Sequence, residues 1–337
     1  MRDFLILMRH FRDKMKIAIT GEKGFIGSNL SKLITSEGHD FISLVGNSNL
    51  QHTLETGEPC VYSNTEKEWE EVLIDEGVDV LIHNAAVVGT DVVALNSEFS
   101  TLSNVAGTHT IARAANKANV PVCYTGTTVI YDTLRYQDTV ITESSNLNPK
   151  TFYGIQKLSA EQIIKHNCDE WMIIRPLFAY GGVGDMNSLI AKTIYGALNN
   201  ESEIDMFLNP NKVKDYMHVK DFCSAVLRAC ELGLWNDDYN VAAETPYNTR
   251  EIVEMISRAT DKDVEKVLRW HPETDYLGNH VLSSRKFRTH SDWEPSVDLY
   301  SGIVESFKTI YYDEGEYNPL KHLKEAQERG VDLTDYY

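Results

Sequence analysis

An apolar strand that runs through three spaced glycines into an amphipathic helix constrains this chain more than any other feature. "MKIAIT" (residues 15–20) reads as a short buried strand. "GEKGFIGSNLSKLITSEGH" follows without a linker, with Phe25, Ile26, Leu30, Leu33 and Ile34 at helical spacing and Gly38 where a helix would end. Gly21, Gly24 and Gly27 lie between strand and helix. Glycine is required where a backbone turns sharply, where it approaches a pyrophosphate and where helix packs closely on strand. A helix N-terminus adds unpaired N–H groups and a positive dipole end, which suit phosphate. A lone glycine triplet would say little. At the first strand-to-helix turn of a βαβ series it points to a bound dinucleotide.

Such a series follows. Strand "FISLV" (41–45) leads through a polar loop to a helix over 66–77, then a strand over 78–87, a helix over 101–119 and a strand over 121–128. A helix opening near Tyr153 leads to the apolar stretch 171–181. Strands alternating with helices predict right-handed crossovers and a parallel sheet covered on both faces. The expected fold is therefore α/β, a Rossmann-type doubly wound sheet with a smaller C-terminal substrate-binding lobe. The dinucleotide domain is expected over 15–175, with 215–245 returning to it, and the lobe mainly over 176–312. Beyond 181 the pattern is less regular, although Asn248 and Glu251 in "NTREIV" carry a helix-capping signature. Residues 1–14 are a basic-apolar extension before Met15, which could equally begin the fold, and 313–337 form an acidic, tyrosine-rich tail.

Composition narrows the partners. The net charge of −18 over 337 residues repels nucleic acid and anionic membrane. No apolar run has the length of a membrane span, and "FLILM" near the start lacks a cleavage site for a secretion signal. Five scattered cysteines without a CxxC match reduced thiols and a cytoplasmic location, and no histidine grouping suggests a metal.

"YGIQK" sets Tyr153 four residues ahead of Lys157, but the spacing recurs at Tyr216 and Lys220 in "YMHVK". Only the surroundings can choose between the copies. "TGEKGFIG" (20–27), "HNAA" (83–86), "NVAGT" (104–108), "TGTTVIYD" (125–132), "YGIQK" (153–157) and "RPLFAYG" (175–181) occur in one order, continued by "DYMHVKD" (215–221), "YNVA" (239–242) and "WEP" (293–295). This ordered set resembles the extended short-chain dehydrogenase/reductases, the NAD-dependent epimerase/dehydratase family acting on nucleotide sugars. The resemblance spans Met15 to about Tyr312.

The resemblance implies that Thr127, Tyr153 and Lys157 are catalytic and demotes Tyr216 and Lys220 to core or surface roles. A free phenol, with a pKa of about 10, is a poor base at neutral pH. A nearby ammonium favours the phenolate, and residues four apart on a helix share a face. Tyr153 would then take a proton from a sugar hydroxyl while hydride leaves the carbon, with Thr127 bonded to the reacting oxygen and Lys157 also holding the nicotinamide ribose. The resemblance further implies that Gly21, Lys23, Gly24, Phe25, Ile26, Gly27, Asn47, Ala85 and Ala86 contact the cofactor, and that Thr128 faces substrate. Dehydratases of the family carry acidic residues where this chain has Thr128 and Val129, which favours epimerisation or ketone reduction. Asn104 is expected to support the active-site helix, and His83 to be a satisfied strand-end residue.

The cofactor is NAD or NADP. "LVGNSN" (44–49) has no carboxylate to grip the adenosine ribose, and Lys23 is basic, so NADP is favoured. On the substrate side, Lys214 stands where relatives carry an arginine for the pyrophosphate, giving charge without a bidentate fork. Arg269 and His271 are further candidates, from a looser match. The expected activity is an NAD(P)-dependent epimerase working on a nucleotide-linked sugar through a transient keto intermediate. The alternatives are an NADPH-dependent 4-keto-sugar reductase and a non-catalytic dinucleotide sensor. A homodimer joined through helices 101–119 and 153–166 is also implied.

Overall fold

Every strand of the central sheet is parallel to its neighbours, and neighbouring residues of each strand enter different cores. The structure, a computed structural model, describes residues 14–44, 65–136, 139–181, 185, 188–199, 203–275 and 278–312. The six strands are β1 (Lys16–Thr20), β2 (Asp40–Leu44), β3 (Val80–His83), β4 (Val122–Thr125), β5 (Trp171–Pro176) and β6 (Asp237–Val241), ordered β6-β5-β4-β3-β1-β2. The expected α/β doubly wound sheet is present.

Strand periodicity of two divides the apolar residues between two faces. Ile17 and Ile19 of β1, Val80 and Ile82 of β3, Cys123 of β4, and Met172 and Ile174 of β5 enter one core. It is closed by α1 (Phe25–Ser36) and, from much later in the chain, by α6 (Val219–Leu232), with Phe287 and Trp293. Ala18, Leu81, Val122, Tyr124 and Ile173 enter the other core. There they meet α2 (Glu66–Asp75), α3 (Thr108–Lys117) and α4 (Phe152–Asn167). Burying one large aliphatic side chain contributes about 1.5–3 kcal/mol, so these faces supply the main drive to form the sheet.

Local signals fix the helix ends. Thr65 and Glu68 form a capping box on α2, and Asn248 and Glu251 form another on α7 (Thr249–Thr260). A third core joins α5 (Leu189–Leu198), α7 and α8 (Leu299–Tyr312) with Tyr180, Tyr216 and Met206. The helix expected over 101–119 is not uniform: Leu102–Gly107 is π-helical and runs into α3. The stretch expected as one strand over 171–181 breaks at Leu177–Phe178 before a two-residue strand at Ala179–Tyr180.

Strand order reverses direction at β1: β2 lies on one side, and β3 and its successors on the other. In open α/β sheets the crevice outside the strand carboxyl ends at such a reversal is where ligands bind. The glycine turn after β1 and the loop after β3 meet there.

Candidate active site

Thr20, at the carboxyl end of β1, ties the two sides of that crevice together. Its Oγ1 accepts from the N–H groups of Asn84 and Ala85, each at 3.1 Å, and lies 2.7 Å from His83 Nδ1. Gly21 follows with φ of +71°, a left-handed conformation that favours glycine. It is also pressed against the β3 loop, since a Cβ there would lie 2.8 Å from both N and Cα of Ala85. Gly24 is the N-cap of α1 and offers no side chain to cap it. The close backbone packing that the missing Cβ atoms of Gly21 and Gly27 allow, and the uncapped first turn of α1, fit a dinucleotide pyrophosphate. The structure brings Gly21, Gly24, Phe25, Ile26, Gly27, Ala85 and Ala86 together around this turn and the facing loop, with Lys23 exposed at the turn itself. Asn47 lies outside the described residues.

The second half of the site is built on β4 and α4. Thr127 begins a short 3-10 turn over Thr128–Ile130, and its Oγ1 accepts from Val129 N–H at 3.5 Å. Thr151 caps α4, accepting from Gly154 N–H at 3.1 Å. Gly154 lets this first turn lie against that loop: a Cβ there would be 3.0 Å from the Val129 carbonyl oxygen. Tyr153, half-buried, thus starts its helix beside the Thr127 turn. Lys157, one turn on, is buried; its Nζ donates to the Thr125 carbonyl at 2.7 Å and sits 4.2 Å from the centre of the Tyr124 ring. Burial pushes the Lys157 ammonium down to about 7, against the opposing pull of Glu161. Burial, with the Lys157 charge adding to it, also pushes His83 down to about 3. His83 is therefore a neutral spacer between the Thr20 and Thr108 hydroxyls, the latter 2.9 Å from its Nε2. It is satisfied by side chains, not by backbone groups.

Asn104 holds the loop to the helix. It accepts from Val87 N–H at 2.7 Å and donates to the Val87 carbonyl and to Gln156 Oε1, both at 2.9 Å. Gln156, buried next to Lys157 in sequence, passes the link on to the Ser100 and Thr101 hydroxyls. The π-helical stretch over Leu102–Gly107 carries Asn104, and such bulges often mark functional sites. Gln156 was not among the residues singled out from sequence. Its position inside "YGIQK" is the only signal that could have found it.

The competing Tyr–Lys spacing does not assemble. Tyr216 is buried in the third core, its ring 5.4 Å from Phe178 and 6.4 Å from Tyr180. Lys220 is exposed and pairs with Glu305 at 2.6 Å.

The substrate-side candidates are engaged with protein groups. Lys214 is buried and donates to both Asp275 oxygens, at 3.1 and 3.0 Å, and to the Gly278 carbonyl at 3.0 Å. Arg269 is exposed and pairs with Glu203 at 3.2 Å. His271 lies 2.7 Å from Asp205 and stacks on exposed Phe207 with ring centres 4.9 Å apart. Thr128, like Thr127, is buried. Among the described residues, no three His, Cys, Asp or Glu side chains form a group able to hold a metal ion. No helix among them is long and apolar enough to cross a membrane.

Comparison with known proteins decides the family. The NAD dependent epimerase/dehydratase family pattern matches residues 17–242. The chain belongs to that family. This epimerase/dehydratase family member is similar to dTDP-glucose 4,6-dehydratase of Mycobacterium tuberculosis, 25% identical over 335 residues, covering 94% of this chain and 100% of the relative. It is also similar to UDP-glucose 4-epimerase of Lactobacillus helveticus, 24% identical over 327 residues, covering 86% and 95%. Among solved structures, dTDP-glucose 4,6-dehydratase of Bacillus anthracis in complex with NAD shares the fold with a TM-score of 0.75, at 24% identity, covering 91% of this chain and 99% of that one. The protein is thus an enzyme of the NAD dependent epimerase/dehydratase family.

Proposed function

We propose that this enzyme is an epimerase of a nucleotide-linked sugar that works through a transient keto intermediate and keeps its dinucleotide throughout. The observation that carries the reading is the Thr127 turn. Val129 of that turn lies against Gly154, the neighbour of Tyr153 on α4, Lys157 lies one turn on, and the two positions after Thr127 hold Thr128 and Val129. Neither of those can move a proton as a carboxylate would, which argues against dehydration.

Bound nicotinamide supplies the site that accepts and returns hydride. Tyr153 takes the proton of the sugar hydroxyl and later gives it back; Thr127 orients that oxygen. Lys157, a buried cation fixed on the Thr125 carbonyl, favours the deprotonated phenol by charge and meets a ribose hydroxyl of the dinucleotide. The glycine turn after β1 receives the pyrophosphate. Lys23 at its tip supports NADP(H) over NAD(H). Apolar Phe152 and Ile155 are exposed on α4, 40% and 48%, and support a homodimer that covers them. The buried, unpaired Cys123, Cys168, Cys223 and Cys230 support a reducing, cytoplasmic setting.

A second reading, reduction of a 4-keto sugar with consumption of NADPH, shares the same residues and is favoured by Lys23. The two differ in their cofactor balance. The enzyme should interconvert two epimers from a nucleotide-sugar panel, followed by NMR, with no net change in nicotinamide absorbance. Stoichiometric loss of NADPH with a keto sugar, and no interconversion, would replace the first reading by the second.

A further inference from the structure

The catalytic pair is backed by a buried ionic cluster that the mechanism above does not use. Glu161 follows Lys157 by one turn on α4 and is fully buried. Arg175 of β5, equally buried, donates from Nε to Glu161 Oε1 at 3.0 Å and from Nη2 to Oε2 at 2.9 Å, a bidentate pair. The same guanidinium donates to Asp238 at 2.5 Å and to the Tyr131 hydroxyl at 2.7 Å, and Tyr131 in turn donates to Asn240 at 2.8 Å. The pair lies directly beneath Gly126, where a Cβ would meet Glu161 Oε1 at 2.7 Å and Arg175 Cγ at 2.9 Å. Gly126 separates Thr125, whose carbonyl holds Lys157, from Thr127.

We propose that Glu161 is a positioning residue for the catalytic pair: locked by Arg175 under Gly126, it fixes the Thr125–Thr127 strand end and supplies the buried carboxylate charge nearest the Lys157 ammonium. Two features support this. A buried ion pair is weak evidence for stability, since apolar residues of similar volume often do as well, so its presence behind a working cation asks for another reason. Among the described residues, the groups around Lys157 also leave few sources of negative charge. They are Glu161 from its own helix, Tyr124, itself felt by Tyr153, and the Thr125 carbonyl from β4, and neutral His83 from β3. Arg175 from β5 stands behind Glu161, and Asp238 of β6 lies beyond Arg175, shared with Lys165. Glu161 opposes the burial that draws the Lys157 proton off.

The inference rests on the reading of Lys157 as catalytic, yet its test needs no substrate. In the cofactor-free, full-length enzyme carrying ¹³C-labelled lysine, the Lys157 signal is assigned by its loss in Lys157→Met. It should titrate well below the usual lysine range in the parent enzyme, because burial draws its proton off. In Glu161→Gln the proton affinity should fall at least threefold, moving the midpoint lower, whereas Asp238→Asn should leave it in place. Equal midpoints in Glu161→Gln and the parent, or equal shifts in both variants, would overturn the proposal. Should Glu161→Gln fail to fold, the double variant Glu161→Met/Arg175→Met removes the pair with little change of volume. A smaller fall is expected there, because the repelling Arg175 charge behind Glu161 leaves with the carboxylate; a midpoint that rises overturns the idea. With an epimerisation assay in hand, the high-pH limb of the activity profile should shift lower with the midpoint; a uniform loss at every pH would mark Glu161 as merely structural. Failure to find any sugar substrate would sink the proposed activity and leave the titration result standing.

Discussion

Replacing Gly27 by alanine should damage dinucleotide binding more than any other single-methyl change near the crevice. A Cβ at Gly27 would lie 2.1 Å from the Gly21 carbonyl oxygen and 2.7 Å from Glu22 Cα. Ordinary contact begins near 3.4 Å, so the turn must retreat from α1 by about 1.3 Å. Both neighbours are backbone, and no rotamer change can absorb the clash. Overpacking costs about 1–3 kcal/mol, and a backbone obstacle places this case near the upper end. The retreat would also push Gly21 into Ala85, which it already touches, and displace the amides offered to the pyrophosphate. A loss of about 100-fold in affinity, close to 2.8 kcal/mol, is expected for NAD(H) and NADP(H) alike. Calorimetric titration would measure it, with urea unfolding to report stability. Gly38→Ala is the control: its φ of +84° makes a side chain strained, about 1–2 kcal/mol, but nothing lies within 4 Å of the new methyl. That variant should lose stability and keep its affinity. Normal dinucleotide affinity in Gly27→Ala would refute the argument from close approach.

Tyr153→Phe should lower turnover by about 10²–10⁴-fold with dinucleotide affinity kept, and Tyr216→Phe by far less; equal rates in steady-state assays would reverse the assignment. Burial holds His83 and His280 near pKa 3, below the unfolded value of about 6.5, so the unfolded chain binds more protons between those values. Stability should therefore fall as pH drops from about 6.5 towards 3, by up to about 1.4 kcal/mol per unit for each histidine, and denaturation at several pH values should show a shallower slope in His280→Leu. Lys23→Glu should weaken NADP(H) more than NAD(H) in calorimetry; an NAD(H) preference unmoved by the change would count against the cofactor reading. Ile155→Glu should convert a sedimenting dimer to monomer, and a parent enzyme that is already monomeric at micromolar concentration would remove the proposed interface.

The central fold was legible because its information is local and periodic. Ile17, Ala18 and Ile19 alternate between two cores, and the apolar runs of β3, β4 and β5 show that both sheet faces are covered. The glycine turn is marked by spacing within one strand-to-helix unit, whereas the Tyr153–Lys157 spacing recurs at Tyr216 and Lys220, and only the ordered motifs around it favour the first copy. What escaped depends on partners distant in the chain. Arg175 and Asp238 are 63 residues apart, and Lys214 and Asp275 are 61. Nothing near Lys214 announces that its ammonium is satisfied inside the protein. The π-helical stretch at Leu102–Gly107 has an apolar pattern that also suits an α-helix, and the Asn104 side chain bonds to Val87 and Gln156, invisible from sequence, accompany the difference. The break at Leu177–Phe178 fell inside a continuous apolar run, where periodicity cannot mark a strand end.

The two faces of the sheet are completed at different times as the chain leaves the ribosome. One is covered by α2, α3 and α4, all of which precede β5. The other receives α1 early but waits for α6, so Cys123, Met172 and Ile174 have their final cover only after residue 232. At about 5–20 residues per second, translating from the end of β5 to the end of α6 takes several seconds. During that interval a nearly finished parallel sheet presents a bare apolar strip and an unpaired β5 edge, which β6 closes later still. Ribosome-bound chains ending near 220, with β5 clear of the tunnel, should be cut by protease more readily than chains ending near 280, with α6 and β6 clear of it; equal resistance would show that the strip is protected by other means. Slow elongation between those points should lengthen the exposure and lower the yield of folded enzyme, through a segment that lies far from the crevice in sequence.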